Sequence, residues 1–324
     1  MKTILRSFFY RTFKTKGFWI QFAVMGLIGV ICGVIGYVVV NYAYQEYLNA
    51  IGTDYEYTYM MVGETINRAA VGLIAINGGV LVGSNSVPHP ILCVICILIC
   101  IRFHNEMSSG SMRNYIVSGY SRKQAYRSLF VGFLVYGALL YASFAISMLL
   151  PTFLLPGGFY GFKDLAAVGQ YLAIAGLSIV IFLAYYAFSF FLNVLLNGNA
   201  FAGPLAILIY LVLALVSMTP SLIQLLFLNP LGGATEEEMN RFREIVGNIL
   251  VFTPYGQTAI VASGNLAFVP GDLVGSILGG GGSSSTDETA LIVKNVLAIV
   301  LENGGIGVGS FFLGQHILAK RDLR

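Results

Sequence analysis

Few residues able to do chemistry occur in this chain of 324 residues, and long apolar runs separate them. One group is Glu106, Arg113 and Arg122, set among Gly110, Ile116 and Gly119. Carboxylate and guanidinium side chains of this kind suit ion pairing and docking. A second candidate is Glu302, which falls near mid-depth of a long apolar run, where a carboxylate is costly and usually faces a cavity or a partner. Either it lines a substrate or ion path, or it is protonated or hydrogen-bonded to a neighbouring helix for structure alone. Cys93, Cys96 and Cys100 share one helical face, but no histidine or carboxylate joins them. With Cys32 they read as small hydrophobes, and no metal or cofactor is expected. His104 reads as a polar residue at a membrane boundary. A phosphate-binding P-loop needs Gly-Lys followed by Ser or Thr, and no Gly-Lys pair occurs anywhere. No paired carboxylates, histidine cluster or Ser-His arrangement converge at one depth, so the chain does not read as an enzyme.

The elements that carry these residues follow from composition. The chain is 57% hydrophobic and 10% charged, whereas a soluble domain carries roughly 25% charged residues. Its apolar residues form continuous blocks long enough to cross a hydrocarbon core, which takes about 20 helical residues. They lack the alternation of a membrane barrel. The fold expected is all-α and integral to the membrane, one transmembrane domain over 1–324. Spans are expected at about 18–44, 85–104 with an apolar lead-in from 69, 128–150 stopped by Pro151, 170–196, 204–228 with a kink at Pro220, and 290–318. Ahead of them, Lys2, Arg6, Arg11, Lys14 and Lys16 alternate with aromatic residues, which suits a helix in the headgroup layer, apolar side down. The stretch 18–44 is too long for the core of a signal peptide and reads as a retained span.

Charge sets the count and orientation. With six spans and both termini inside, thirteen of the eighteen basic residues fall on the inner side, and twelve of the fifteen acids outside. Basic residues collect at the cytoplasmic face. Splitting the second block into two crossings would put Arg113 to Arg127 outside. The outer loop 229–289 contains Thr235-Glu236-Glu237-Glu238, a capping box ahead of an apolar stripe at Met239, Phe242, Ile245 and Ile249, and a flexible Gly279 to Thr286 connector. Gly29 with Gly33, and Gly305 with Gly309, permit close helix approach, within one subunit or across a dimer.

Between the second and third spans the local signals are sharper. Gly110 breaks the incoming helix, Ser111 can cap a short one, and Gly119 ends it. Ser121 and Gln124 form a second capping box that opens the third span. The order Glu106, Gly110, Ser111, Arg113, Ile116, Gly119, Ser121, Arg122 resembles the loop after the second span in the permease subunits of type-2 ABC transporters. Thr253-Pro254-Tyr255-Gly256-Gln257 resembles that family's outer turn, and Lys320-Arg321-Asp322-Leu323 its basic-Asp ending.

The resemblance implies a short coupling helix that docks on a separate cytoplasmic ABC ATPase subunit, with Glu106, Gly110, Arg113, Ile116, Gly119 and Arg122 as coupling residues. It also implies a homodimer or heterodimer with a second permease in the bacterial cell membrane, lipid bilayer as solvent, and no nucleic acid. The expected function is ATP-driven export of a hydrophobic or amphipathic peptide, drug or lipid. The competing expectation is an ion-coupled carrier, independent of ATP, that uses Glu302.

Overall fold

A computed structural model of the chain describes residues 2–50, 90–154, 165–197, 199, 201–209, 211–212, 241, 245, 248–253, 256–257, 260–261 and 288–320. Seven continuous helices carry the architecture: α1 (Lys2–Lys14), α2 (Lys16–Ala50), α3 (Pro90–Ser108), α4 (Ser111–Val117), α5 (Arg122–Leu154), α6 (Leu165–Leu195) and α7 (Glu288–Lys320). A further helical stretch covers 202–209, and no strand occurs among the described residues. The apolar lead-in 69–85, the span beyond 212, Pro220, the 235–238 capping box, Met239, Phe242, the 279–286 connector and residues 321–324 lie outside the described residues.

Four of the helices are long and apolar enough to cross a bilayer: Lys16–Val34 in α2, Arg122–Met148 in α5, Gly176–Leu195 in α6 and Thr289–Lys320 in α7. Their surfaces are inverted relative to a soluble protein. Along α2, Ile20, Val24, Leu27, Ile31, Val34 and Val38 alternate at spacings of four and three and are all exposed. Along α7, Val293, Leu297, Val300, Leu301, Val308, Phe312 and Leu313 are exposed, whereas Asn295, Asn303, Ser310 and Gln315 are buried. Apolar side chains outside and polar ones inside are stable in lipid, where polar groups find partners only within the protein. The chain is a multi-pass membrane protein.

The helices pack as two main pairs, α2 on α5 and α6 on α7, with α3 set between α5 and α6. Glycine makes the first pair close: a Cβ on Gly29 would stand 2.4 Å from the Phe144 carbonyl oxygen. Ser143 Oγ donates across the same seam to the Phe22 carbonyl at 2.8 Å. Gly305 is different, because its Cβ would meet nothing within 4 Å. The first glycine pair therefore serves packing inside the subunit at Gly29, with Gly33 buried one turn on. Among the described residues, a Cβ on Gly309 would likewise meet nothing within 4 Å.

One end of the bundle is filled by rings. Phe8 of α1 meets Phe133 of α5 with centroids 4.8 Å apart, Phe103 of α3 meets Phe190 of α6 at 4.8 Å, and Phe130 of α5 meets Phe311 of α7 at 4.8 Å. Gly132 leaves the room for Phe8, since a Cβ there would come within 2.8 Å of the ring. Edge-on ring pairs add about 0.5–1.5 kcal/mol each beyond burial, so α1, α3, α5, α6 and α7 are joined at this end.

Two expectations are corrected. On α1, Phe8 is buried against protein rather than turned to lipid, because Gly132 of α5 leaves room for its ring, whereas Tyr10 and Phe13 are exposed. Pro151 does not stop α5, which continues to Leu154. A proline's fixed φ suits a helix, and near the end only one amide donor is lost.

Gly29→Ala should lower the thermal unfolding midpoint in detergent, by an equivalent of about 1–3 kcal/mol of overpacking. Gly305→Ala should leave the midpoint unchanged or raise it slightly through helix propensity. Equal responses would remove the distinction between the two glycines.

Candidate functional site

The site is built from the segment that joins α3 to α5. Gly110 takes φ 71° and Gly119 φ 88°, left-handed conformations that favour glycine and reverse the chain at each end of α4. At the far end the Gly119 amide donates to the Ile116 carbonyl at 3.0 Å and the Tyr120 amide to the Tyr115 carbonyl at 3.2 Å. This is the pair of bonds of a Schellman ending. Ser121 and Gln124 then cap each other reciprocally, each backbone N–H donating to the other's side chain at 3.2 Å. The expected cap by Ser111 is replaced. Gly110 is the N-cap residue, and the Ser111 hydroxyl is engaged by Ser109 at 2.8 Å and by Arg11 at 2.7 Å.

Arg11 is the residue that the sequence did not single out. From α1 its guanidinium reaches Glu106 at the end of α3, with Nη2 to Oε2 at 3.0 Å. It also donates to Ser111 and to the Tyr115 hydroxyl of α4, and stands 5.8 Å from the Tyr115 ring centre. Glu106 is buried; an unpaired carboxylate there would be expensive, and Arg11 supplies its counter-charge. One planar fork with five donors thus joins α1, α3 and α4.

The other side of the segment is fastened to α7. Arg122 donates to the Ala319 carbonyl at 3.4 Å, placing a cation at the negative end of that helix. With its amide oxygen turned toward Arg127, Gln315 accepts from Nε at 2.9 Å and from Nη2 at 3.2 Å. Tyr126 is buried against Gly314, where any Cβ would lie 2.4 Å from its hydroxyl. Glu106 and Arg122 are therefore internal ties. Arg113 is exposed, as are Asn114, Val117, Ser118 and Lys123, while Ile116 is half-buried. Val117 is 79% exposed, so the outer face of α4 carries one cation, Arg113, and one bare apolar side chain, with Lys123 exposed at the start of α5.

The chain matches no family model, no curated protein and no solved structure. Function must be argued from the geometry.

A second polar group sits at Glu302. Gln257 Nε2 donates to its Oε2 at 2.7 Å, and Asn303 Nδ2 donates to Gln257 Oε1 at 2.7 Å and to the Ile299 carbonyl at 2.9 Å. Gln257 and Asn303 are buried and Glu302 is half-buried. Thr253 positions Gln257: its hydroxyl accepts from the Gly256 amide at 3.1 Å, and its carbonyl from the Gln257 amide at 3.0 Å. Gly256 is needed because a Cβ would lie 2.0 Å from the Leu250 carbonyl oxygen. The motif at 253–257 thus joins Glu302, 45 residues away; Pro254 and Tyr255 lie outside the described residues. Ile245 and Ile249, the described part of the expected outer stripe, are both exposed.

Cys32, Cys93, Cys96 and Cys100 are buried and form no disulfide among the described residues. Among the described residues no group of three potential metal ligands forms. Cys100 instead packs against Gly203, whose Cβ would come within 3.0 Å of it.

Double-mutant analysis of Arg11→Ala and Glu106→Ala in detergent unfolding should give a coupling energy of about 1 kcal/mol, modest because the Arg11 side chain is partly exposed and screened. Additive effects would separate the two residues. Gly256→Ala should release Gln257 from Glu302 and destabilise the turn by about 1–3 kcal/mol.

Proposed function

We propose that the chain is the membrane-spanning permease subunit of a bacterial ATP-driven export complex. It has six spans, both termini in the cytoplasm, and α4 as the helix on which a separate ATPase subunit docks. The observation that carries this reading is the state of the α3–α5 segment. Its inner face is tied through Arg11 to α1 and through Arg122 and Arg127 to α7, while Arg113, Val117 and Lys123 point away from the bundle. A basic loop that served only to orient the chain would need none of these ties. A loop that receives a push needs all of them, because force on α4 must reach the spans.

In this mechanism ATP-driven closure of the ATPase pair displaces α4. Glu106 and Arg11 carry the displacement into α3 and α1, and Arg122 and Arg127 carry it into α5 and α7. The aromatic cluster then moves as a unit, switching the bundle between inward and outward access. Gly110 and Gly119 let α4 stand as a rigid rod between two sharp reversals. Two permease copies, identical or different, form the pathway, and the cargo is a hydrophobic or amphipathic peptide, drug or lipid.

The competing reading is an ion-coupled carrier built on Glu302. It is favoured by the hydrogen-bonded group of Glu302, Gln257 and Asn303 at mid-membrane. It requires transport that survives ATP depletion and disappears in Glu302→Gln.

Arg113→Glu combined with Lys123→Glu alters only exposed cations, so the unfolding midpoint should hold. Co-purification with the partner ATPase subunit, and ATP turnover by the pair, should each fall about tenfold, equivalent to ~1.4 kcal/mol. Unchanged assembly and turnover would count against the docking role of α4.

A further inference from the structure

A cleft of about 340 Å³ opens where α1 meets α3, lined by Tyr10, Arg11, Lys14, Thr15, Arg102, Asn105 and Glu106. Three of these residues are cations and one is an anion. Glu106 is matched by Arg11, and among the described residues Lys14 reaches only the Tyr10 hydroxyl at 3.3 Å, above its ring. Arg102 makes no hydrogen bond or ion pair among the described residues, and its Nε is shielded from solvent without a partner. The Nε of Arg11 is in the same condition. Among the described residues two cations of this concave site thus lack an anionic partner, and two guanidinium Nε donors are unmet.

The position of the cleft narrows what can meet them. It lies beside the start of α2, where the only tryptophan of the chain, Trp19, is 55% exposed and donates to the Phe13 carbonyl at 2.9 Å. An exposed tryptophan at the end of an apolar helix marks the headgroup layer. Guanidinium groups bind phosphate oxygens through paired N–H donors, and an ammonium adds a point charge. We propose that this cleft binds the phosphate of an anionic phosphate ester, with Arg102 and Lys14 as its principal cations and Arg11 contributing its free Nε. A phospholipid headgroup and a soluble glycerol phosphate share that chemistry. The headgroup is the source that the position favours, since the cleft opens at the depth where lipid phosphates lie. An occupant there bridges α1 and α3 next to the Arg11–Glu106 pair, and so tightens the root of the α4 segment.

The test uses the full chain in vesicles and the intrinsic fluorescence of Trp19. Lipids brominated on their acyl chains quench it, and phosphatidylglycerol is compared with phosphatidylcholine. The wild type should prefer the anionic lipid on the order of fivefold for each cation engaged. Arg102→Gln and Lys14→Gln should each lower that preference about fivefold, and the double variant should remove it. Arg102→Lys should keep most of it, and Arg6→Gln, which deletes an equal charge from α1 outside the cleft, should keep all of it. Relief of quenching by soluble glycerol phosphate would retain the phosphate site and assign it the soluble ligand. Equal quenching by both lipids in the wild type without such relief, or a preference lost equally in Arg6→Gln, would overturn the proposal.

Discussion

The structure depends on the need to satisfy charge at the edge of a hydrocarbon layer. Glu106 is buried at the end of α3, where its ionised form requires a counter-charge within contact distance. Arg11 provides it across a separation of about a hundred residues, and its remaining donors bind Ser111 and Tyr115. Because the guanidinium is planar and its donors fixed, meeting these groups together fixes the position of α1 relative to α3 and α4. The α4 rod is thereby held at its base rather than hung on two flexible glycines. The same economy of charge appears at α7, where Arg122 and Arg127 satisfy the Ala319 carbonyl and the Gln315 amide.

Above this edge the bundle holds together by close packing. In lipid, apolar side chains gain little by leaving their surroundings, so helices associate where small residues allow backbones to approach and polar groups to bond. Gly29 and Ser143 do this for α2 and α5. The aromatic cluster does it for the remaining helices, with Phe103 of α3 and Phe130 of α5 flanking the α4 segment in the chain. Within the bundle, Glu302, Gln257 and Asn303 form one hydrogen-bonded chain. That arrangement is compatible with a purely structural carboxylate, and it explains how a charged residue is tolerated there.

Local features of the site were legible from sequence because their partners are close in the chain. Gly110, Gly119 and the Ser121–Gln124 box occupy the places that turn and cap chemistry demand, and the long apolar blocks correspond to α2, α5, α6 and α7. The non-local half was not legible. Nothing in the spacing of Arg11 distinguishes it from Arg6 or Lys14, and nothing near Gln257 points to Glu302. Arg122 was expected to face a partner, yet part of its hydrogen-bonding capacity is taken up by α7. The burial of Phe8 depends on Gly132, a residue with no signature of its own. Such pairings are decided by tertiary packing, which one-dimensional periodicity does not encode.

The permease reading stands on α4 facing the cytoplasm, within reach of a nucleotide-hydrolysing partner. The direct measurement is the sidedness of Ser118, exposed at the end of α4. In a chain whose four buried cysteines have been replaced, Ser118→Cys is treated with a membrane-impermeant maleimide. The account predicts labelling in inside-out vesicles and none in intact cells. Labelling in intact cells would place α4 on the outer surface and contradict it.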